Sequence, residues 1–382
     1  MVRSAPAALR PEQADFRSRL HDTTVAARLG AALGIAMTLC LLTGLLSHYL
    51  QQPPSWLSFP SRPVSLYRVT QGVHVLAGVS MLPLLLAKLW TVYPKLFQRP
   101  ALRSIEHGVE RLFVLLLIGG TTFEIVSGIF NITDYYPWSF SFVAVHFAVA
   151  WVVYGALIVH VAHQYDAARG ALTTKLPRES VAQGMTRRGF LGAVGAATGI
   201  VVVGYAGQTV TPLRNLSPFA THVAGDGPQG VPVKRSAIGA GVTKTAIDPA
   251  FRLTVHGAVE SELTLSLDDL RAMPQSTSVL PITCVEGWST TGTWSGVALR
   301  DLVAAAGGDI HAHVRVTSLQ SGGSYASSVV DGPHASDALT LIAMKLGGED
   351  LHIDHGYPCR LIAPNRPGVM QTKWVTDVEV LA

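Results

Sequence analysis

Two kinds of side chain in this chain could do redox chemistry. Cys284 stands in Cys284-Val285-Glu286-Gly287-Trp288-Ser289, inside a polar C-terminal third. A thiolate there is a soft ligand, suited to a metal that cycles between oxidation states while exchanging an oxo group. The histidines form the second set. His146 and His160 stand 14 residues apart in one apolar segment; that is about 40° around a helix and roughly 21 Å along it, so one face offers a ligand near each leaflet. His74, one turn inside the outer end of another segment, is level with His146 if neighbouring helices run antiparallel. Two neutral imidazoles on facing helices can fill both axial positions of a b-type haem, and His74 with His146 is the expected outer pair. His48, at the outer end of the first apolar segment, could replace either partner or bond a haem propionate. An inner haem on His160 needs a partner at the opposite end, where His107, His21 and Lys88 are the alternatives.

The elements that must hold these groups follow from composition. Apolar residues make up 48% and charged residues 14%, about half the usual charged fraction of a soluble domain, so much of the chain should face lipid. Windows at 25–47, 70–92, 111–130 and 142–163 each reach the roughly 20 residues needed to cross a bilayer, while 220–382 contains nothing comparable. The expected order is a tail (1–24), a four-helix transmembrane unit (25–170), a segment with a loop and a fifth helix (171–210), a linker punctuated by proline and glycine (211–245) and a polar domain (246–382). Arg3, Arg10, Arg17 and Arg19, then Lys95, Arg99 and Arg103, then Arg169, Lys175, Arg178, Arg187 and Arg188 fall on one side of the spans; the opposite loops hold Arg62 and Arg68, then none between Asn131 and Phe140. That bias places the N-terminus in the cytoplasm and the polar domain outside the cell membrane. Trp56, Tyr135, Tyr136 and Trp138 suit the outer interface belt.

Thr186-Arg187-Arg188-Gly189-Phe190-Leu191 opens a short, weakly apolar run to Gly207. It resembles a twin-arginine export signal placed internally, read by the twin-arginine translocation machinery that moves folded domains; an ordinary fifth helix flanked by arginines is the alternative. Lys88 and Glu124 are costly in hydrocarbon, and quinone protonation is their candidate role, with snorkelling of Lys88 to the headgroups as the other reading. Cys40, Cys284 and Cys359 form no disulfide framework. A net charge of +4 without a basic, aromatic-laced tract argues against nucleic acid as a partner. In the polar domain, alternation at 251–257 and 263–267 predicts strands, Asp268 to Pro274 an Asp-capped helical turn, 299–306 a helix, and 313–317 and 375–381 further strands. The expected fold is multidomain: an α-helical transmembrane four-helix bundle with a fifth transmembrane helix, then an α+β domain with mixed sheets.

Several strings, in order, carry a resemblance: Arg252-Leu253-Thr254-Val255-His256-Gly257, Thr283-Cys284-Val285-Glu286-Gly287-Trp288-Ser289, Trp294-Ser295-Gly296-Val297-Ala298-Leu299, and Asp354-His355-Gly356-Tyr357-Pro358 with Arg360 and Lys373-Trp374. Together they resemble the sulfite-oxidase-type molybdopterin domain. The resemblance implies that Cys284 binds molybdenum beside a single molybdopterin, that His355, Arg360 and Lys373 bond the pterin and its phosphate, and that Tyr325 is the active-site tyrosine, able to give a proton to a departing oxygen. Cys359 stands where the family has apolar residues and is read as structural. Sulfite-oxidising members follow the cysteine with arginines, whereas Glu286 and Trp288 here are similar to the methionine-sulfoxide reductase branch, and an anionic substrate would be repelled by Glu286. Reduction of a neutral S-oxide or N-oxide, with electrons drawn from membrane quinol, is the implied reaction; a sulfite-type dehydrogenase feeding quinone, or a metal-free binding or electron-transfer protein, are the alternatives. The apolar half is similar to the four-helix di-haem cytochrome b subunits of formate dehydrogenases and hydrogenases, whose fourth span bears two histidines at this spacing. In that family the inner partner lies early in the first span, and the nearest match, His21, precedes the apolar run.

Overall fold

Five long helices precede ten short strands among the described residues of the computed structural model, which are 18–54, 56–96, 103–181, 184–323 and 326–382. Arg3, Arg10, Arg17, Arg99 and Tyr325 lie outside them. The chain divides into two units, one of residues up to 42 with 73–204, the other of 43–72 with 205–382.

The helical unit is built on α1 (Thr23–Gln51), α2 (Leu66–Leu96), α3 (Ile105–Ile132), α4 (Phe142–Thr173) and α5 (Arg187–Ala206), each long and apolar enough to cross a membrane. Each extends beyond the apolar window that announced it, because helix continues into the polar flanks. Leu33 and Met37 of α1, Met81 and Leu85 of α2, Ile125 of α3 and Val153 of α4 meet in one cluster. At Gly120 of α3 a Cβ would lie 2.4 Å from Val153 Cγ2, so this close crossing of α3 and α4 requires glycine. Ile35, Leu86, Leu115, Val152 and Ile158 stay exposed on the bundle, as expected of faces solvated by lipid chains. Arg28 donates to the carbonyls of Ala171 (3.3 Å) and Thr174 (2.7 Å) and thereby closes the C-terminal end of α4. Arg187, the first of the paired arginines, binds Glu179 and lies 3.3 Å from Asp22 Oδ2; its backbone N–H also donates to Glu179 Oε2 at 2.7 Å.

The second unit carries two five-stranded sheets. One has the order β2 (Leu263–Leu265), β1 (Leu253–Gly257), β10 (Val375–Val380), β5 (Val314–Ser318), β6 (Ser327–Val330), with β1 and β10 parallel and the other pairs antiparallel. The other runs β3 (Ser276–Thr283), β4 (Ser289–Ala298), β7 (Leu341–Leu346), β8 (Glu349–Asp350), with β9 (Arg360–Ile362) also on β7. Alternating Leu253 and Val255, Val314 and Val316, and Val378 and Val380 point into one core together with Leu299, Leu302 and Val303 of the helix Leu299–Ala305. Each such side chain contributes about 1.5–3 kcal/mol when fully buried, which fixes register, because a one-residue slip would turn the set outward. Cys359 is buried in this core, its Sγ 3.3 Å from the Val375 carbonyl.

Two local expectations change. The helical turn starts one residue earlier, at Leu267, and its cap is Ser266: the hydroxyl accepts from Asp269 N at 3.1 Å while the Asp269 carboxylate accepts from Ser266 N at 2.8 Å. A hydroxyl at this position can serve as donor and acceptor together, which the Asp pair alone cannot. The linker 211–245 has little regular structure, yet it wraps the domain. Val231 is buried with Leu280 and Ile282, the Gln229 amide bridges the carbonyls of Leu346 (3.2 Å) and Asp350 (3.1 Å), and Ala237, Ala240 and Val242 pack on Trp374. The C-terminal end of α1 and the N-terminal end of α2 belong to this unit as well. Asn365 accepts from Tyr67 N (2.9 Å) and donates to Pro60 O (2.7 Å), and Arg62 makes two 3.0 Å bonds to Asp337.

Candidate functional site

Cys284 sits at the tip of the β3–β4 hairpin. The last paired residues are Thr283 and Ser289, their hydroxyls 2.9 Å apart. Between them Cys284 N donates to Trp288 O (2.9 Å) and Gly287 N to Cys284 O (3.1 Å), closing a tight five-residue loop. Gly287 takes φ +99, a conformation that a side chain would strain, so the Cys-x-x-Gly-Trp spacing is a backbone requirement. Glu286 is buried, at 1% exposure. Its carboxylate pairs with Lys234 and accepts from Trp288 Nε1 at 3.2 Å. The expectation that Glu286 presents a bare negative charge to a substrate is therefore corrected: its charge is compensated inside the wall.

Behind the thiol opens a cavity of about 280 Å³ lined by Cys284 and Trp288, by Lys234 and Arg235 from the wrapping segment, and by His355, Arg360 and Lys373. Arg360 is part of the wall: it donates to the carbonyls of His355 (3.1 Å) and Gln371 (3.2 Å) and its guanidinium lies 5.1 Å from the centre of the Trp294 ring. Lys373 bonds the carbonyls of Arg235 and Asp354, the latter at 2.8 Å, and lies 4.7 Å over Trp374. Gly356, at φ +107, lets these two approach, since a Cβ there would be 3.0 Å from Arg360 Cβ and 3.1 Å from Lys373 Cβ. His355 Nε2 stands 2.7 Å from the Pro228 carbonyl, which places its proton on Nε2 and leaves Nδ1 as an acceptor.

Burial dominates the electrostatics. It pushes the Cys284 thiol up to about 12, with the Glu286 charge adding to it. His355 is lowered to about 4 by burial and is neutral. Lys373 is lowered to about 7, first by burial and then by Arg360. A cavity with one soft sulfur and four cationic side chains fits a metal-bearing organic group that is itself anionic: the metal replaces the thiol proton and the anion answers the cations. His355, Arg360 and Lys373, expected together from sequence, do line one cavity with Cys284 and Trp288. Nothing in the sequence marks Lys234 and Arg235, which follow a proline- and glycine-rich stretch with no period.

In the helical unit the His74 and His146 rings lie 6.3 Å apart between centroids, their planes at 69°. His74 Nδ1 is 3.0 Å from the Cys40 carbonyl. His146 Nδ1 is 2.8 Å from Glu124 Oε2 and 3.3 Å from Ser127 Oγ. Acceptors at both Nδ1 atoms put the protons there and make each Nε2 the nitrogen able to take a metal. Two imidazoles on one metal at about 2 Å per nitrogen have centroids roughly 6 Å apart, the separation of this pair. Glu124, the candidate for quinone chemistry, meets His146 through Oε2, while its Oε1 is buried with no hydrogen-bond partner among the described residues. The alternatives for the His160 partner have contacts of their own: Lys88 Nζ donates to Ala26 O at 2.7 Å, His21 Nδ1 is 3.1 Å from Thr91 O, and His107, half-buried at the head of α3, accepts at Nδ1 from Arg103 N at 3.4 Å. The His160 side chain makes no hydrogen bond or ring contact with the described residues. His48 stacks edgewise near Tyr49, 5.6 Å between centroids, and groups with the second unit.

Residues 240–382 match the family described as oxidoreductase molybdopterin binding domain. The chain is 32% identical over 126 residues to a putative protein-methionine-sulfoxide reductase subunit YedZ1 of Azospira oryzae, covering 33% of this chain and 47% of that one. It is 33% identical over 165 residues to mitochondrial sulfite oxidase of Homo sapiens, covering 35% and 30%, and 27% identical over 143 residues to the protein-methionine-sulfoxide reductase catalytic subunit MsrP of Campylobacter jejuni, covering 34% and 48%. The chain thus spans less than half the length of these relatives.

Proposed function

With residues 240–382 a molybdopterin-binding oxidoreductase domain of the sulfite oxidase superfamily, we propose that this chain is a membrane-anchored molybdenum enzyme that draws electrons from quinol through b-type haem and reduces S-oxides or N-oxides at an extracytoplasmic site. The observation that carries the reading is the convergence of Cys284 with Lys234, Arg235, Arg360 and Lys373 on one cavity. The bound molybdopterin group would supply two-electron oxygen exchange at molybdenum. Cys284 would hold the metal, and the buried thiol gives up its proton because a cation takes its place. Lys373 and Arg235 would bind the phosphate, Arg360 would stiffen the wall behind it, and His355 Nδ1 would accept from a pterin N–H. Trp288 shields the sulfur from water, while Glu286, bound to Lys234 and the indole, holds the loop. Tyr325 would give a proton to the oxygen that leaves the substrate. The sum balances: one quinol and one sulfoxide become one quinone, one sulfide and one water.

His74 and His146 would hold the haem, with Cys40 O and Glu124 orienting the rings. The arginine bias of the loops supports a cytoplasmic N-terminus, and Arg187-Arg188 supports export of the domain by the twin-arginine machinery with its cofactor in place. The sulfoxide reductase names of two relatives support the oxide reading. A sulfite-type dehydrogenase is the second reading, favoured by the cationic cavity and by the compensation of Glu286, which together remove the barrier to an anion. The test is one purified sample of the full chain: molybdenum analysis, a reduced-minus-oxidised spectrum, then turnover with quinol against a panel of S-oxides, N-oxides and sulfite. Molybdenum, a b-type spectrum and oxide turnover are expected; near-zero molybdenum in mature protein would leave a binding or electron-transfer protein instead.

A further inference from the structure

Three consecutive carbonyls of the cysteine loop are held by side chains from outside residues 240–382. Val285 O accepts from Gln71 Nε2 at 2.6 Å, Glu286 O from Gln208 Nε2 at 3.4 Å, and Gly287 O from Thr209 Oγ1 at 2.6 Å. The loop answers with Ser289 N, which donates to Gln208 O at 2.7 Å. Gln71, Gln208 and Thr209 are all buried, at 4%, 1% and 8% exposure. The orientation of the Gln71 amide is fixed by its partner, because the reverse would set two carbonyl oxygens against each other. Space for the arrangement comes from Gly72, where a Cβ would lie 2.8 Å from Thr209 Cγ2. Arg68 supports the same segment through Thr209 O (2.9 Å) and Thr291 Oγ1 (3.2 Å).

We infer that Gln71 and Thr209, seconded by Gln208, are positioning residues that aim the Cys284 sulfur into the cavity by clamping the carbonyl side of its loop. The inference rests on the reading of Cys284 as the metal's ligand, and it deepens that reading by adding residues from α2 and from the segment that follows α5. A five-residue hairpin tip has few bonds of its own: two within the loop here. Left to those, the peptide planes of Val285 to Gly287 could rotate and carry the sulfur with them. Three donors on successive carbonyls remove that freedom; the bonds to Glu286 O and Gly287 O are buried and the bond to Val285 O is half-buried, so loss of a buried one strands an acceptor that water cannot reach. The domain by itself lacks these donors, and the attachment of the helical segments is thereby made part of the site's construction.

The test uses the full chain in detergent. Thr209→Val and Gln71→Met keep shape and remove the donor; Thr209→Ser keeps the hydroxyl. In metal-free protein, hydrogen exchange of the bonded amides of Cys284, Gly287 and Ser289 should accelerate about tenfold in each donor-less variant, the change in opening that corresponds to about 1.4 kcal/mol. In Thr209→Ser it should stay within about twofold, and β5 and β10 should be unaffected in all three. In loaded protein, kcat should fall about tenfold in the donor-less variants at unchanged molybdenum content and KM, as expected when only the aim of a reacting centre is disturbed, and Thr209→Ser should restore it. Unchanged loop exchange, or equal acceleration in β5 and β10, overturns the clamp. Accelerated exchange with unaltered kcat, or loss of kcat in step with lost molybdenum, overturns its role in aiming the cysteine. If Cys284→Ser protein still binds molybdenum, the reading of the ligand fails, while loop exchange continues to report on the clamp.

Discussion

The histidine pair and the cysteine cavity hold their groups by opposite means. His74 and His146 belong to two long helices, and each ring is set by one or two acceptors supplied by the helices around it: a carbonyl of α1 for one, a carboxylate and a hydroxyl of α3 for the other. Cys284 depends on a hairpin tip, and its cavity is assembled from short stretches near residues 231–235, 282–288, 318–323 and 355–374. Helices fix distance along one axis, so two side chains suffice to define a site. Loops fix little by themselves, and the cavity is rigid because backbone carbonyls are bonded by Arg360, Lys373 and His355. A ligand that must be gripped at both ends suits the first design. A large, irregular, charged ligand needs the second.

Separating the two should be possible, beginning with the largest effect. Cys284→Ser is expected to lower oxide turnover about a thousandfold or more, the scale on which an indispensable reacting group counts, while the reduced-minus-oxidised spectrum persists; loss of both signals together would mean that the two sites are not independent. His146→Ala should abolish the outer haem and quinol-driven turnover yet spare turnover with an artificial reductant, and equal loss with both electron sources would point to misfolding instead. Lys373→Met removes one charge-assisted bond and should weaken cofactor retention roughly tenfold to hundredfold, read as molybdenum per protein after dialysis. Because Lys373 is lowered to about 7 in the metal-free cavity, cofactor uptake should decline as pH rises through that value and the ammonium is lost; in Lys373→Met this step should vanish. Over the same range, from about 7 up to the unfolded value near 10.5, the unfolded chain holds the extra proton, so Lys373 makes metal-free protein more stable with rising pH. Cys359→Ala, in the core and not among the residues that line the cavity, should cost about 1–2 kcal/mol in a urea titration and leave metal content and spectrum alone. Any loss of molybdenum there would show that the second buried thiol is more than filling.

What could be read from the sequence follows the same division. Five apolar runs announce the five helices, and the equal depth of His74 and His146 in antiparallel helices pairs them, while the 3.6-residue period sets His146 and His160 on one face. Strands β1, β2, β5 and β10 showed their alternation plainly. The hairpin that carries Cys284 did not, because β3 contains Pro281 and β4 is rich in serine, threonine and glycine, a composition that reads as loop. Those glycines serve packing: at Gly292 a Cβ would lie 2.9 Å from Trp294 Nε1, and at Gly296 it would lie 2.1 Å from Ile342 O on the neighbouring β7. The compensation of Glu286 was invisible for a different reason. Its partner, Lys234, sits in the wrapping segment, and no pattern in either string reports on the other. The resemblance points to Cys284 and to His355, Arg360 and Lys373, which line one cavity with it, but the donors behind the loop lie in the half of the chain that such strings do not cover.

Arg187 has one further consequence. In the folded bundle its two terminal nitrogens are already paired with Glu179 and Asp22, so a receptor that recognised paired arginines would have to reach this residue before those carboxylates do. The address would be legible only on a chain whose first helix has yet to close, and delivered copies would cease to compete with new ones for the exporter.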